Sequence, residues 1–132
     1  IKEEGIESKA LDMIKQRGIE TFFFLDISFP NLFKMVNSGE SRVAIRVSEY
    51  ESAISALKLS GKAQWIWIDI FNNFSLLKDD YDNLSNEGYK FCLVSPELHG
   101  REIKEIEFIK SYLKINDMKI DAVCTKFPEA WD

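Results

Sequence analysis

The chain has one histidine, two cysteines and three prolines, and these scarcities exclude whole classes of function. A single imidazole and the absence of paired cysteine spacing leave no ligand set for a zinc site. Cys92 and Cys124 both fall inside apolar runs and are read as reduced, buried thiols rather than as the start of a disulfide framework. Long apolar stretches are lacking too: the longest, about seven residues from Phe22, falls far short of the roughly 20 needed to cross a membrane. No charged-then-apolar leader opens the chain. Positive charge is not in excess. Lys and Arg number 17 against 22 Asp and Glu, for a net charge of -5 and a pI near 5.0, which argues against the basic face that nucleic-acid phosphates require. Gly-x-Gly-x-x-Gly, P-loop and Cys-x-x-Cys patterns are all missing. The expectation is a soluble, cytoplasmic protein with no nucleic-acid partner and no transmembrane segment.

What is present is a repeat. Five short apolar runs end on polar residues: 22–28, 43–48, 65–71, 91–95 and 122–125. The first four follow Gly18, Gly39, Gly61 and Gly88, and the fifth follows Asn116-Asp117. Between them lie segments with apolar residues at helical spacing, at 8–17, 30–37, 50–59, 76–86 and 101–115, with Pro30 suited to a first helical turn. Continuous apolar runs point to strands covered on both faces, as in parallel sheets with helical crossovers. The fold class is therefore α/β, built of parallel βα repeats in one domain over 1–132. Phe22, Phe23, Phe24, Trp65 and Trp67 are read as core filling.

In such folds ligands bind beyond the carboxyl ends of the strands. The polar residues at those ends are Asp26, Ser28, Arg46, Ser48, Glu49, Asp69, Ser95, Glu97, His99, Thr125 and Lys126. Carboxylates, hydroxyls, one histidine and Arg46 as a fork suit an anionic or polyhydroxylated ligand. The competing reading is that Asp and Ser at strand ends only cap the next helix. His99 lies between a strand and the longest predicted helix, two residues from Glu97.

Phe24-Leu25-Asp26-Ile27-Ser28-Phe29-Pro30, Ser48-Glu49, Trp67-Ile68-Asp69-Ile70-Phe71, Leu93-Val94-Ser95-Pro96-Glu97-Leu98-His99 and Cys124-Thr125 with Pro128-Glu129 stand in that order along the chain. Together they resemble a bacterial branch of the glycerophosphodiester phosphodiesterase family, with Val-Ser-Pro-Glu-Leu-His the most specific part. The resemblance implies strands four to eight of a TIM barrel, whose usual length is about 250 residues. It matches Ile1-Lys2 to the end of the third strand and gives Lys2 a contact with the phosphodiester. The family's His-Arg-Gly motif, Glu-x-Asp metal ligands and second histidine would precede Ile1. Thr125-Lys126 departs from the family's usual Thr-Asp.

The implied chemistry is hydrolysis of a small phosphodiester to an alcohol and glycerol 3-phosphate, with a divalent cation, Mg or Ca, expected in the full-length protein and none held by this part. No catalytic residue is expected here. The substrate-binding candidates are Lys2, Asp26, Arg46, Glu49, Asp69, Glu97 and His99. Two alternatives stand beside this reading: a non-catalytic phosphodiester- or sugar-phosphate-binding module, and a flavodoxin-like signalling domain with Asp69 as phosphoacceptor. Open parallel edges recruit other strands, so a homodimer or a nearby remaining half is expected.

Overall fold

A computed structural model describes residues 5–132; Lys2 lies outside them. Four of the five apolar runs form strands: β1 (Ala44–Val47), β2 (Trp65–Ile68), β3 (Lys90–Val94) and β4 (Ala122–Cys124). They make one parallel sheet in sequence order β1-β2-β3-β4. The helices are α1 (Glu7–Gln16), α2 (Phe29–Asn37), α3 (Ile54–Leu57), α4 (Lys78–Asn86) and α5 (Glu105–Ile115). The chain is thus α/β, as the repeat predicts.

The first run is not a strand. Phe24 alone bridges Val43, giving its N–H to Arg42 O at 2.8 Å and accepting from Ala44 N at 2.9 Å. Two residues on, Asp26 takes φ +56, a left-handed conformation that ends the extended backbone. Helix α3 is also far shorter than the predicted 50–59. Ser48 and Glu51 exchange backbone hydrogen bonds at 3.1 and 3.2 Å, and Ser48 Oγ accepts from Tyr50 N, so residues 48–51 form a turn before the helix can start. The fifth stop works as the glycines do: Asp117 takes φ +49 in their place.

Strands that follow one another across the sheet in one direction, each joined by a right-handed crossover, put all their helices on one face. That face holds the core. Val43, Ile45, Val47, Ile66, Ile68, Phe91 and Leu93 pack with Ala56, Leu59, Tyr81, Leu84, Ile109 and Leu113 from the helix side. Ile66, Ile68, Leu84 and Leu93 are fully buried. The alternate residues, Arg46, Trp65, Trp67, Cys92 and Cys124, share the opposite face by register. There Trp65 and Trp67 are only half-buried, with the Phe23 ring 4.8 Å from Trp65. Burial along β2 therefore alternates, whereas Ala44, Cys92 and Val94 on the same face are buried, so the expectation of two covered faces fails at β2 and holds at β3. No helix among the described residues is long and apolar enough to cross a membrane.

Candidate functional site

Because the strands are parallel, their carboxyl ends share one rim. Arg46, in register with Trp67, points to the helix-free face, and Asp69, two residues past Trp67, does the same just beyond β2. Asp69 N donates to Val47 O at 3.0 Å, which holds the two strand ends together. The guanidinium and carboxylate meet there, with Nε 3.0 Å from Oδ2. This is an ion-pair contact rather than a hydrogen bond, since the buried Nε–H is not aimed at that oxygen and has no hydrogen-bond partner. The other oxygen of Asp69, Oδ1, lies 3.0 Å from His99 Nε2. His99 reaches it from a 3-10 turn, Pro96–His99, directly after β3, and its ring lies against Phe71 with centroids 4.6 Å apart.

Asp69 is only 4% exposed, a buried carboxylate with both oxygens engaged. Arg46 also donates through NH2 to Asp26 and sits 3.9 Å from Glu51 through NH1. One guanidinium thus faces three carboxylates. Arg46, expected as a fork for an anionic ligand, is here paired with the protein's own acids. Beside it, between α2 and the start of α3, opens a cleft of about 470 Å³ lined by Asp26, Arg46, Tyr50, Glu51, Ser52 and Ser55 over the apolar Phe29 and Leu32.

Glu49 and Glu97 do not join this cluster. Glu49 accepts from the amides of Phe71 at 3.2 Å and of Asn72 and Asn73 at 2.6 Å each. Burial pushes its carboxyl up, but these amides outweigh that and hold its pKa down at about 2. Glu97 accepts from Ser95 Oγ, from Thr125 Oγ1 at 2.6 Å and from Lys126 N at 3.0 Å, tying the end of β3 to the end of β4. Burial raises this carboxyl as well, and the same three donors bring it below the usual carboxylate range. Ser95, fully buried, also accepts from Trp131 Nε1 at 2.9 Å. Both glutamates clamp loops at the rim.

Of the sequence-predicted residues, the structure brings Asp26, Arg46, Asp69 and His99 together and sets Glu49 and Glu97 apart. Glu51 and Phe71 are the partners that sequence reasoning missed. Glu51 is one of two glutamates in Ser48-Glu49-Tyr50-Glu51, and only the turn at 48–51 decides which of them faces Arg46. Among the described residues no group of three or more His, Cys, Asp or Glu is placed to hold a metal ion. The rim carboxylates are engaged by Arg46, His99, backbone amides and hydroxyls. Cys92 and Cys124 are free, and burial, then the neighbouring Cys124 sulfur, pushes the Cys92 thiol up to about 12. No protein-family model, curated protein or solved structure matches the chain.

Proposed function

We propose that this chain is the substrate-positioning part of a phosphoric diester hydrolase of the glycerophosphodiester phosphodiesterase type, on the arc of a TIM barrel formed by its later strands. The observation that carries this reading is the contact chain Asp26–Arg46–Asp69–His99. Its members come from four separate sequence segments, three of them the motif strings behind the resemblance, and they meet at the carboxyl end of a parallel sheet. Parallel strands in unbroken sequence order, with Phe24 continuing the series outside β1, suit a barrel arc. A flavodoxin-like sheet instead reverses its order after the first strand. Asp69, buried with both oxygens engaged, is also ill-suited to accept a phosphoryl group.

In this reading the cleft beside Arg46 takes the leaving alcohol, and the negative phosphate is met by Lys2 and a divalent cation supplied from outside the described residues. The test is release of glycerol 3-phosphate from glycerophosphocholine by the full-length gene product, with Mg²⁺ or Ca²⁺ and with chelator. Metal-dependent release is expected, with none from residues 1–132 alone. Binding of glycerol 3-phosphate without turnover under any metal condition would favour the non-catalytic module instead.

A further inference from the structure

The charged side chains lining the cleft beside Arg46 are Asp26, Glu51 and Arg46 itself. The guanidinium is already committed. Its Nε lies 3.0 Å from the buried Asp69 and its NH2 donates to Asp26, whereas Glu51 Oε1 stands 3.9 Å from NH1, beyond hydrogen-bond distance. The other Glu51 oxygen accepts from the neutral Ser48 hydroxyl at 2.7 Å. One positive charge is thus shared among three carboxylates, and the wall of the cleft is left net negative at Glu51. Such a wall is a poor neighbour for a phosphodiester unless the ligand brings positive charge of its own.

The apolar side of the cleft is aromatic. Phe29 opens α2, Tyr50 precedes α3, and both line the cleft while remaining exposed. Each ring is backed by a second one: Phe33 stacks on Phe29 with centroids 6.4 Å apart, and Phe71 lies 5.9 Å from Tyr50. The Tyr50 hydroxyl also accepts from Asn72 Nδ2 at 3.3 Å, which fixes the ring at its polar end. Held aromatic faces next to a carboxylate suit an organic cation, because the ring quadrupole attracts an ammonium and its alkyl groups pack on the same surface. A polyol would use the carboxylates as acceptors but leave their charge uncompensated beside the phosphate. The volume of about 470 Å³ falls within the range of small-molecule sites, about 300–1,000 Å³.

We propose that the cleft selects the leaving alcohol by positive charge: the ammonium of a small amino alcohol lies against Glu51 and the rings of Tyr50 and Phe29, and its oxygen leads to the phosphorus. This rests on the phosphodiesterase reading and adds a specificity that the reading leaves open, since hydrolysis of a glycerophosphodiester demands nothing of the alcohol's charge. Glu51 and Tyr50 determine the specificity and touch none of the reacting atoms.

The test compares two diesters of one shape in the full-length protein: glycerophosphocholine, and the glycerol 3-phosphate ester of 3,3-dimethylbutanol, in which a tert-butyl group replaces the trimethylammonium. The cation also makes choline the better leaving group, so the readout is KM rather than kcat. The wild-type protein should show a KM about tenfold lower for the choline ester, and the gap should narrow at high ionic strength. Glu51→Gln should raise KM for the choline ester about two- to fivefold and for the dimethylbutyl ester less than about 1.5-fold. Tyr50→Leu should raise KM for the choline ester by a similar factor. Circular dichroism confirms folding, and Tyr50→Leu, at an exposed position, carries the test where the Glu51 variant does not fold. Equal KM for the two esters in the wild type, or equal changes on both in the variants, would overturn selection by charge and leave the phosphodiesterase reading standing. No turnover of either ester by the wild-type protein would overturn both.

Discussion

Replacing Asp69 by asparagine keeps the shape of the side chain and removes its charge, so the variant isolates what the buried carboxylate contributes. Breaking one side of a fully buried ion pair costs about 3–5 kcal/mol, whereas an exposed pair contributes about 0–1 kcal/mol. Asp69 is buried, but its partners are less so: the Arg46 side chain is 35% exposed and that of His99 21%. Asparagine Oδ1 can still accept from His99, and Arg46 keeps Asp26 and Glu51. The loss should therefore match that of one charge-assisted interaction, about 2 kcal/mol. With a urea dependence of about 1–3 kcal/mol/M, the unfolding midpoint should fall by about 1 M. Tryptophan fluorescence reports the transition, since Trp65 and Trp67 lie on the sheet and Trp131 is tied to Ser95. Asp26→Asn is the control. Asp26 is 41% exposed and its φ of +56 is tolerated by asparagine, so its pairing should contribute no more than about 0.5 kcal/mol. A loss for Asp26→Asn equal to or above that for Asp69→Asn would refute the placement of the energetic centre at Asp69.

Glu49→Gln should destabilise the protein by about 1–2 kcal/mol by weakening three amide hydrogen bonds. The pH dependence has a definite sign: the folded carboxyl sits at about 2, below its unfolded value, so its contribution is present above the ordinary carboxylate range and is lost as pH falls toward 2. Acid titration of stability should show this loss in the wild type and not in the glutamine variant. Ile68→Ala, at a fully buried position of β2, should cost about 3–4 kcal/mol in urea unfolding, while Ile115→Ala, 82% exposed at the end of α5, should change stability by less than about 0.5 kcal/mol. Iodoacetamide at pH 8 should modify half-buried Cys124 ahead of Cys92, whose thiol is buried and pushed up to about 12. Equal rates in the folded protein would contradict that burial.

The strands were legible because apolar runs punctuated by helix-ending residues can be satisfied in few ways, and β1 to β4 each lie within or overlap their predicted runs. The segment 22–28 was not, because a single left-handed residue, Asp26, ends its pairing, and aspartate carries no signal as plain as glycine's. Coverage of both faces was misjudged at β2 for a related reason: Trp65 and Trp67 are as apolar as core residues, and composition does not tell which face the helices take. Asp26, Arg46, Asp69 and His99 could be found because polar residues at parallel strand ends share a rim by topology. Glu49 and Glu97 stand at equivalent positions, yet their oxygens turn to loop amides and hydroxyls. That choice depends on the path of the 71–73 and 125–126 segments, which no local pattern in the sequence encodes.

The charge at the rim constrains the proposed reaction further. Asp26, Glu51 and Asp69 place three carboxylates around the single guanidinium of Arg46, so the cluster carries no surplus positive charge for a phosphodiester anion. Like charges brought close in a partly dry cleft repel more strongly than in water. For a diester whose alcohol lies in the cleft beside Arg46, the adjoining phosphate is repelled by these carboxylates; Asp69 is pinned by His99 and burial, Asp26 and Glu51 are both exposed, and of these two Asp26 is the one hydrogen-bonded to Arg46. Removing that competitor should therefore help an anion rather than hinder it. Asp26→Asn is expected to tighten binding of glycerol 3-phosphate, and Arg46→Gln to weaken it, both measured by calorimetry at low ionic strength, where screening is least. Weaker binding on loss of Asp26 would mean that its carboxylate contacts the ligand's hydroxyls directly and would refute the argument from charge.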